Sequence, residues 1–265
     1  MVRKVPALAM KTGPLSAKLV VRVMPSVEAA SQVALEELQA LLATEPRALY
    51  SFATGATYQT MLLSLHRLVV DGRVSLATSY VTHLDEYLGF APDQRGGMVH
   101  ELCAACPSML SLLRRGTFLP VPGVGSKTAL AQHEARLLQL HLPRLQFLGI
   151  GRNGHIAFNE PGALHSQGFH VTKLAATTLQ DAAARFAPAA VPTHAVTAGP
   201  ASILSAKRLL MCAFGLGKAA AVRAMLEGPI GPECPAAWIR QHPDVLVLLD
   251  PLSASQLQNT VVVHG

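Results

Sequence analysis

The chain has 265 residues, 50% of them apolar and only 14% charged, with 22 lysines and arginines against 16 acidic residues for a net charge of +6. This length and apolar content suit one α/β domain or two small ones and exclude a disordered chain. The basic residues are scattered, with no run longer than the pairs Arg114–Arg115 and Lys207–Arg208 and no aromatic ladder beside them, which argues against nucleic acid and for a small anionic substrate.

At the N-terminus, Met1–Met10 has only a six-residue apolar run between Lys4 and Lys11, too short for the apolar region of a signal peptide. Lys18–Met24 (KLVVRVM) predicts a strand, Ser26 an N-cap, and Val27–Ala43 a helix with apolar residues at helical spacing. Arg47–Ala53 predicts a second strand running into Thr54-Gly55-Ala56-Thr57, with Tyr58–Val70 helical after it. Strand, small-residue turn and helix is an arrangement that cradles phosphate. A third strand over about Thr78–His83 ends at Asp85-Glu86-Tyr87. A loop with Gly96 and Gly97 follows, then a helix near His100–Leu113, a short strand at Thr117–Val121 and a helix over Lys127–Leu140. Arg144–Ile150 reads as a buried strand that empties into Gly151-Arg152-Asn153-Gly154-His155. Ala187–Pro192 is the best loop or lid candidate, and strand Arg208–Phe214, helix Lys218–Leu226 and a last strand Asp244–Leu249 complete the pattern. No run of about 18 apolar residues is present, so no membrane span is expected.

Apolar strands alternating with helices predict a parallel sheet covered on both faces. The expected fold is therefore α/β, three α/β/α layers around a mostly parallel, Rossmann-like sheet, with ligands beyond the carboxyl ends of the strands. Three polar clusters fall at such ends. Thr54–Thr57 offers close-approaching backbone N–H groups and a helix dipole. Asp85-Glu86 offers two adjacent acids, one able to face a cleft as a base while the other supports it. Gly149–Gly162 (GIGRNGHIAFNEPG) places His155 and Glu160 in one glycine-rich loop, where a glutamate can fix a histidine's tautomer. Cys103 and Cys106 form a lone C-x-x-C with no second pair or histidine cluster, which reads as two helix-borne thiols and not as a zinc or redox site. A reducing, cytoplasmic setting is the default expectation.

LGIGRNGHIAFNEPG resembles the signature loop of the glucosamine-6-phosphate deaminases, in the family shared with 6-phosphogluconolactonase. ATGAT resembles their phosphate loop and HLDEYLG their acidic strand end. The resemblance continues through Arg185-Phe186, Phe214–Ala219 and Ala237–Pro243, over nearly the whole chain. It implies one domain spanning 1–265 with a lid at about 170–199, and a deaminating isomerase that makes fructose 6-phosphate and ammonia without metal or organic cofactor. It implies that Asp85 is the base moving a proton between C2 and C1. His155 opens the sugar ring, with Glu160 orienting it and Asn153 beside it. Thr54, Gly55, Ala56 and Thr57 cradle the 6-phosphate, and Arg185 and Lys218 add charge. Members range from monomers to hexamers, so a homo-oligomer is compatible with it.

Four departures bear on these expectations. Asn153 stands where some members carry Asp, which leaves Glu160 as the carboxylate tuning His155. Tyr58 replaces a proline after the phosphate loop, and Gly97-Met98 replaces Ser-Tyr in a loop near the sugar, which keeps galactosamine 6-phosphate open as an alternative substrate. Ala163, Leu164, His170 and Thr172 occupy the places where regulated members bind an acetylated sugar phosphate, so hyperbolic kinetics without that activation are expected. A lactonase is disfavoured because its loop lacks the FNEP element. A non-catalytic sugar-phosphate sensor has no need of the Asp85, His155 and Glu160 set.

Overall fold

The computed structural model describes residues 18–260 and 263–264; Met1–Met10, weighed above as a leader, lies outside them. Eleven strands and eight α-helices follow in the order β1 (Lys18–Val23), α1 (Val27–Thr44), β2 (Leu49–Phe52), α2 (Ala56–Val70), β3 (Tyr80–His83), β4 (Asp85–Tyr87), α3 (Met98–Ala105), α4 (Met109–Arg114), β5 (Phe118–Leu119), α5 (Lys127–Gln139), β6 (Pro143–Gly149), β7 (His170–Lys173), α6 (Ala176–Phe186), β8 (His194–Thr197), α7 (Pro200–Leu204), β9 (Leu209–Ala213), α8 (Ala219–Glu227), β10 (Asp244–Leu249) and β11 (Val263–His264). Short 3₁₀ segments cover Leu216–Lys218 and Pro235–Gln241.

Eight strands form one sheet in the order β11-β1-β10-β9-β6-β2-β3-β5, with every pairing parallel. β2 and β9 are buried along their whole length, as strands covered on both faces must be. Phe52 and Phe147 stack at 5.2 Å on one face, and Tyr58 of α2 meets Phe147 edge-on. Ser51 and Gln146, one residue earlier on the same strands, face the other way, where Gln146 Nε2 donates to the Ile203 carbonyl of α7. These opposed contacts make the three layers.

The strand order fixes where a ligand can lie. From β2 the chain moves to β3 and β5 on one side; from β6 it moves to β9 and β10 on the other. The switch point is therefore between β2 and β6, and the crevice opens at their carboxyl ends. Those ends carry Thr54–Thr57 and Gly151–His155.

The remaining strands, β4, β8 and β7, make a separate antiparallel sheet. Asp85-Glu86-Tyr87, expected as the cluster at which the third strand ends, is a strand of its own, turned out of the main sheet. The single helix expected at His100–Leu113 is two, α3 and α4, interrupted at Cys106-Pro107. Proline lacks the N–H that a continuing helix needs and disfavours helical geometry in the residue before it. Cys106 accordingly lies at the C-cap of α3 and not within a helix. The segment 170–199 contains β7, α6 and β8, and Ala187–Pro192 is the irregular stretch between the last two. Asp244–Leu249 is not the last strand, since β11 follows it on the β1 edge.

Candidate active site

The turn after β2 has an open helix start. Gly55 is the N-cap of α2 at φ 93°, a left-handed value that glycine adopts without strain, and no side chain caps the helix. Gly55 and Ala56 are exposed, so the first helical N–H groups face outward with the positive end of the dipole. The helix begins at Ala56, two residues ahead of the sequence expectation. Tyr58, the departure after the turn, anchors this start. Its buried hydroxyl lies 2.8 Å from the Leu148 carbonyl and 3.0 Å from that of Leu210, which ties α2 to β6 and β9. Thr54 Oγ1 donates to Met98 Sδ at 2.9 Å, so the turn touches the first residue of α3.

The acidic pair is divided by the pleat of β4. Glu86 turns to the amino end of α3 and accepts from the N–H groups of Met98, at 2.9 Å, and Val99, at 3.2 Å, as well as from that of Tyr87. Gly97 permits this, because a Cβ there would stand 3.1 Å from Glu86 Oε1. Burial pushes the Glu86 carboxyl up, and those backbone bonds oppose it. Asp85 is also buried, yet accepts no hydrogen bond from the described residues. Burial, then the Glu86 charge, pushes it up to about 7, with Arg185 pulling the other way. A carboxylate left without donors at such a value is suited to take and return a proton near neutrality.

The loop after β6 folds back on itself. His155 packs over Gly151, where any Cβ would run into the imidazole. Its Nδ1 is 3.4 Å from Glu160 Oε2. Glu160 is held from several directions: Asn153 Nδ2 donates at 2.8 Å, Thr178 Oγ1 at 2.6 Å and the Ala175 N–H at 3.1 Å. Burial alone would push Glu160 up, but the bonds from His155, Thr178 and Asn153 overcome it and hold the carboxyl down at about 2. Asn153 also accepts from the His155 N–H at 3.2 Å. It therefore braces the loop with both ends of its amide, which a carboxylate in its place does not do.

Strand β8 joins the two halves. Thr197 pairs with Asp85 across β4 and β8, and its Oγ1 accepts from the Phe158 N–H at 3.0 Å. Asn159 Nδ2 donates to the Ala198 carbonyl at 2.7 Å. The His155 loop is thus fastened to the strand that carries the register of Asp85.

Helix α6 spans both halves. Its amino end rests on Glu160 through Ala175 and Thr178. At its carboxyl end Arg185 donates to the Tyr87 hydroxyl at 2.5 Å and lies over the Tyr87 and Phe186 rings. Between them, Asp181 pairs with Arg152 through Nε at 3.1 Å and a second guanidinium nitrogen. Lys218, at the carboxyl end of β9, is the neighbour of that pair; burial pushes its amine down, with Asp181 raising and Arg152 lowering it. Thr54–Thr57, Asn153, His155, Glu160 and Lys218 therefore follow β2, β6 and β9 at one end of the sheet. Arg185 stands instead beside Asp85 and Tyr87. Sequence reasoning missed Thr178 and Thr197, whose contacts join segments far apart in the chain, and the aromatic seat of Arg185. Among the described residues, no three or more His, Cys, Asp and Glu side chains gather into a group able to hold a metal ion.

Residues 25–248 match the family model described as glucosamine-6-phosphate isomerases/6-phosphogluconolactonase. A glucosamine-6-phosphate deaminase of Clostridium perfringens is 32% identical over 240 residues, 89% of this chain and 98% of that protein. One from Ligilactobacillus salivarius is 36% identical over 215 residues, 79% of this chain and 87% of that protein. A solved structure of a monomeric glucosamine-6-phosphate deaminase superposes with a TM-score of 0.81 at 32% identity, over 90% of this chain and all of that one. The 6-phosphogluconolactonase of Trypanosoma cruzi superposes at 0.71 with 17% identity, covering 92% of this chain and 98% of its own, which shows a common fold alone.

Proposed function

The chain belongs to the glucosamine-6-phosphate isomerase/6-phosphogluconolactonase family, and from that premise we propose that it is a glucosamine-6-phosphate deaminase, forming fructose 6-phosphate and ammonia. The observation that carries the reading is a pair of acids in opposed environments: Asp85, without donors among the described residues and pushed up to about 7, and Glu160, bonded to its neighbours and held at about 2 beside His155.

In this reading the exposed turn Thr54–Thr57 receives the 6-phosphate on the N–H groups of α2, and Lys218 supplies charge from β9. His155, its tautomer set by Glu160, relays the proton between ring oxygen and C1 hydroxyl that opens the pyranose. Asp85 removes the C2 proton and returns it to C1. The C1–C2 enolamine so formed becomes a C2 imine, which water cleaves to the ketose and ammonia. Asn153 and Thr178 hold Glu160 so that its charge stays beside His155 throughout. Arg185 supports the reaction from the Asp85 side, and its place on α6 makes it the residue that leaves Tyr87 when an anion enters and the 170–199 segment acts as a lid. Four buried free cysteines fit work in the cytoplasm. No described helix is long and apolar enough to cross a membrane.

The test is ammonia release from glucosamine 6-phosphate and galactosamine 6-phosphate measured side by side. Turnover of the gluco sugar supports the assignment; turnover of the galacto sugar alone moves it to the second substrate; turnover of neither contradicts it. Lys218→Ala is expected to raise KM about 10- to 100-fold, the worth of one charge-assisted bond, with kcat nearly unchanged.

A further inference from the structure

A cavity of about 330 Å³ lies outside the site described above, on the sheet face opposite the Phe52–Phe147 stack. Its floor is Ser51 of β2, Thr82 of β3 and Gln146 of β6, and its wall includes Leu137 and Leu138 of α5. Helix α7 and the loop before β7 complete it. The volume is at the small end of the usual range for ligand pockets, roughly 300–1,000 Å³. We propose that this cavity is a second ligand site, for an uncharged small molecule with one polar end and an apolar body.

One lining side chain, Ser51, is 1% exposed and its Oγ has no partner among the described residues. Unpaired polar atoms at that depth are uncommon and ask for an occupant. His83 Nε2 accepts from the Val121 N–H at 2.8 Å, which leaves the ring proton on Nδ1. Burial pushes this histidine down to about 3, with the Asp85 backbone opposing the shift, so the ring is neutral and its proton is directed to the chain that leads into the active site. A ligand hydroxyl or carbonyl can therefore accept from Ser51 Oγ. Water would satisfy the floor, but the leucine wall offers it no hydrogen-bond partner, and an ordered buried water needs about two to four.

The ligand's charge is set by what is missing from the lining. Among the described residues no lysine or arginine lines the cavity, and the one acid that does, Glu134, already accepts from the Phe169 N–H at 2.8 Å and Ser202 Oγ at 3.0 Å. A phosphate or carboxylate would enter without a counter-charge, at a large desolvation cost. The cavity is thus no second seat for a sugar phosphate. Its position still bears on the active site. His83 and Leu84 lead directly into Asp85. The Ala198 N–H donates to the Leu84 carbonyl at 2.7 Å, while the Ala198 carbonyl accepts from Asn159 of the histidine loop at 2.7 Å.

The experiment is a protein-observed NMR titration with cyclohexanol and benzyl alcohol, and with cyclohexanecarboxylate as the anionic control. The two alcohols are expected to give saturable shifts at Ser51, His83 and Gln146, and the carboxylate none. Ser51→Val removes the hydroxyl and Ala201→Leu narrows the rim; each is expected to weaken the alcohols by about tenfold, the scale of one hydrogen bond, with ammonia release close to wild type. If Ser51→Val does not fold, Ala201→Leu carries the comparison alone. Absence of saturable shifts, equal binding of the carboxylate, or unchanged affinity in the folded variants would overturn the proposal.

Discussion

Strand β4 and the loop after β6, fastened to each other through β8, each carry a carboxylate withdrawn from water, and they treat it in opposite ways. Asp85 is buried with no donor among the described residues and with a second acid beside it, and is pushed up to about 7. Glu160 is also withdrawn from water, but three side chains bond to it and hold it at about 2. Burial acts in the same direction on both; at Glu160 the bonds from His155, Thr178 and Asn153 outweigh it, while at Asp85 the Glu86 charge adds to it. A base that must give its proton back needs the first environment, and a charge that must stay in place needs the second.

The contrast breaks most sharply at Asp85. Asp85→Asn is expected to lower kcat by about 10²–10⁴-fold and to leave binding of the sugar phosphate nearly intact, read by equilibrium titration. The same variant tests the burial argument through stability. The folded protein holds the Asp85 proton more tightly than the unfolded chain, so this group favours folding at low pH. That contribution is lost as pH rises from the unfolded carboxyl's 3.8 through about 7. Asp85→Asn is therefore expected to unfold later than wild type at pH 8, by about 1–3 kcal/mol, with the gap closing near pH 4.

A smaller effect is expected on the other side of the comparison. The folded value of Glu160 is depressed from 4.5 to about 2, so its contribution is present above the unfolded value and lost as pH falls toward 2. Thr178→Val deletes the 2.6 Å bond. It is expected to move acid unfolding to higher pH and to lower kcat by about tenfold, the scale of losing an orienting partner. An unchanged acid midpoint would show that Asn153 and the Ala175 N–H suffice.

Much of this was legible in the sequence where the signals were local. Ser26 caps α1 as expected, its side chain accepting from the Ala29 N–H at 3.2 Å, and the apolar run before Gly151 is the buried strand β6. The turn Thr54–Thr57 and the His155–Glu160 loop stand at the ends of adjacent parallel strands, as strand–loop–helix alternation requires. The division of Asp85 from Glu86 was foreseen in kind, but its cause was not. Glu86 finds its partners twelve and thirteen residues on, at the start of a helix whose entry depends on Gly97. The break at Pro107 had a local signal, the residue itself. β7 and β8 had a weaker one: each is four residues long and gains its identity only in the small sheet, where β8 pairs with β4 on one side and β7 on the other. Thr178 had none, because its role comes from α6 folding across the crevice.

The account rests on Asp85 and Glu160 titrating far apart. Carboxyl ¹³C chemical shifts followed from pH 2 to pH 9, with Asp85→Asn and Glu160→Gln used to assign the two resonances, measure this directly. A midpoint near 7 for Asp85 and one at or below the acid end for Glu160 is the predicted result. Midpoints for both near 4, the ordinary carboxylate range, would contradict it.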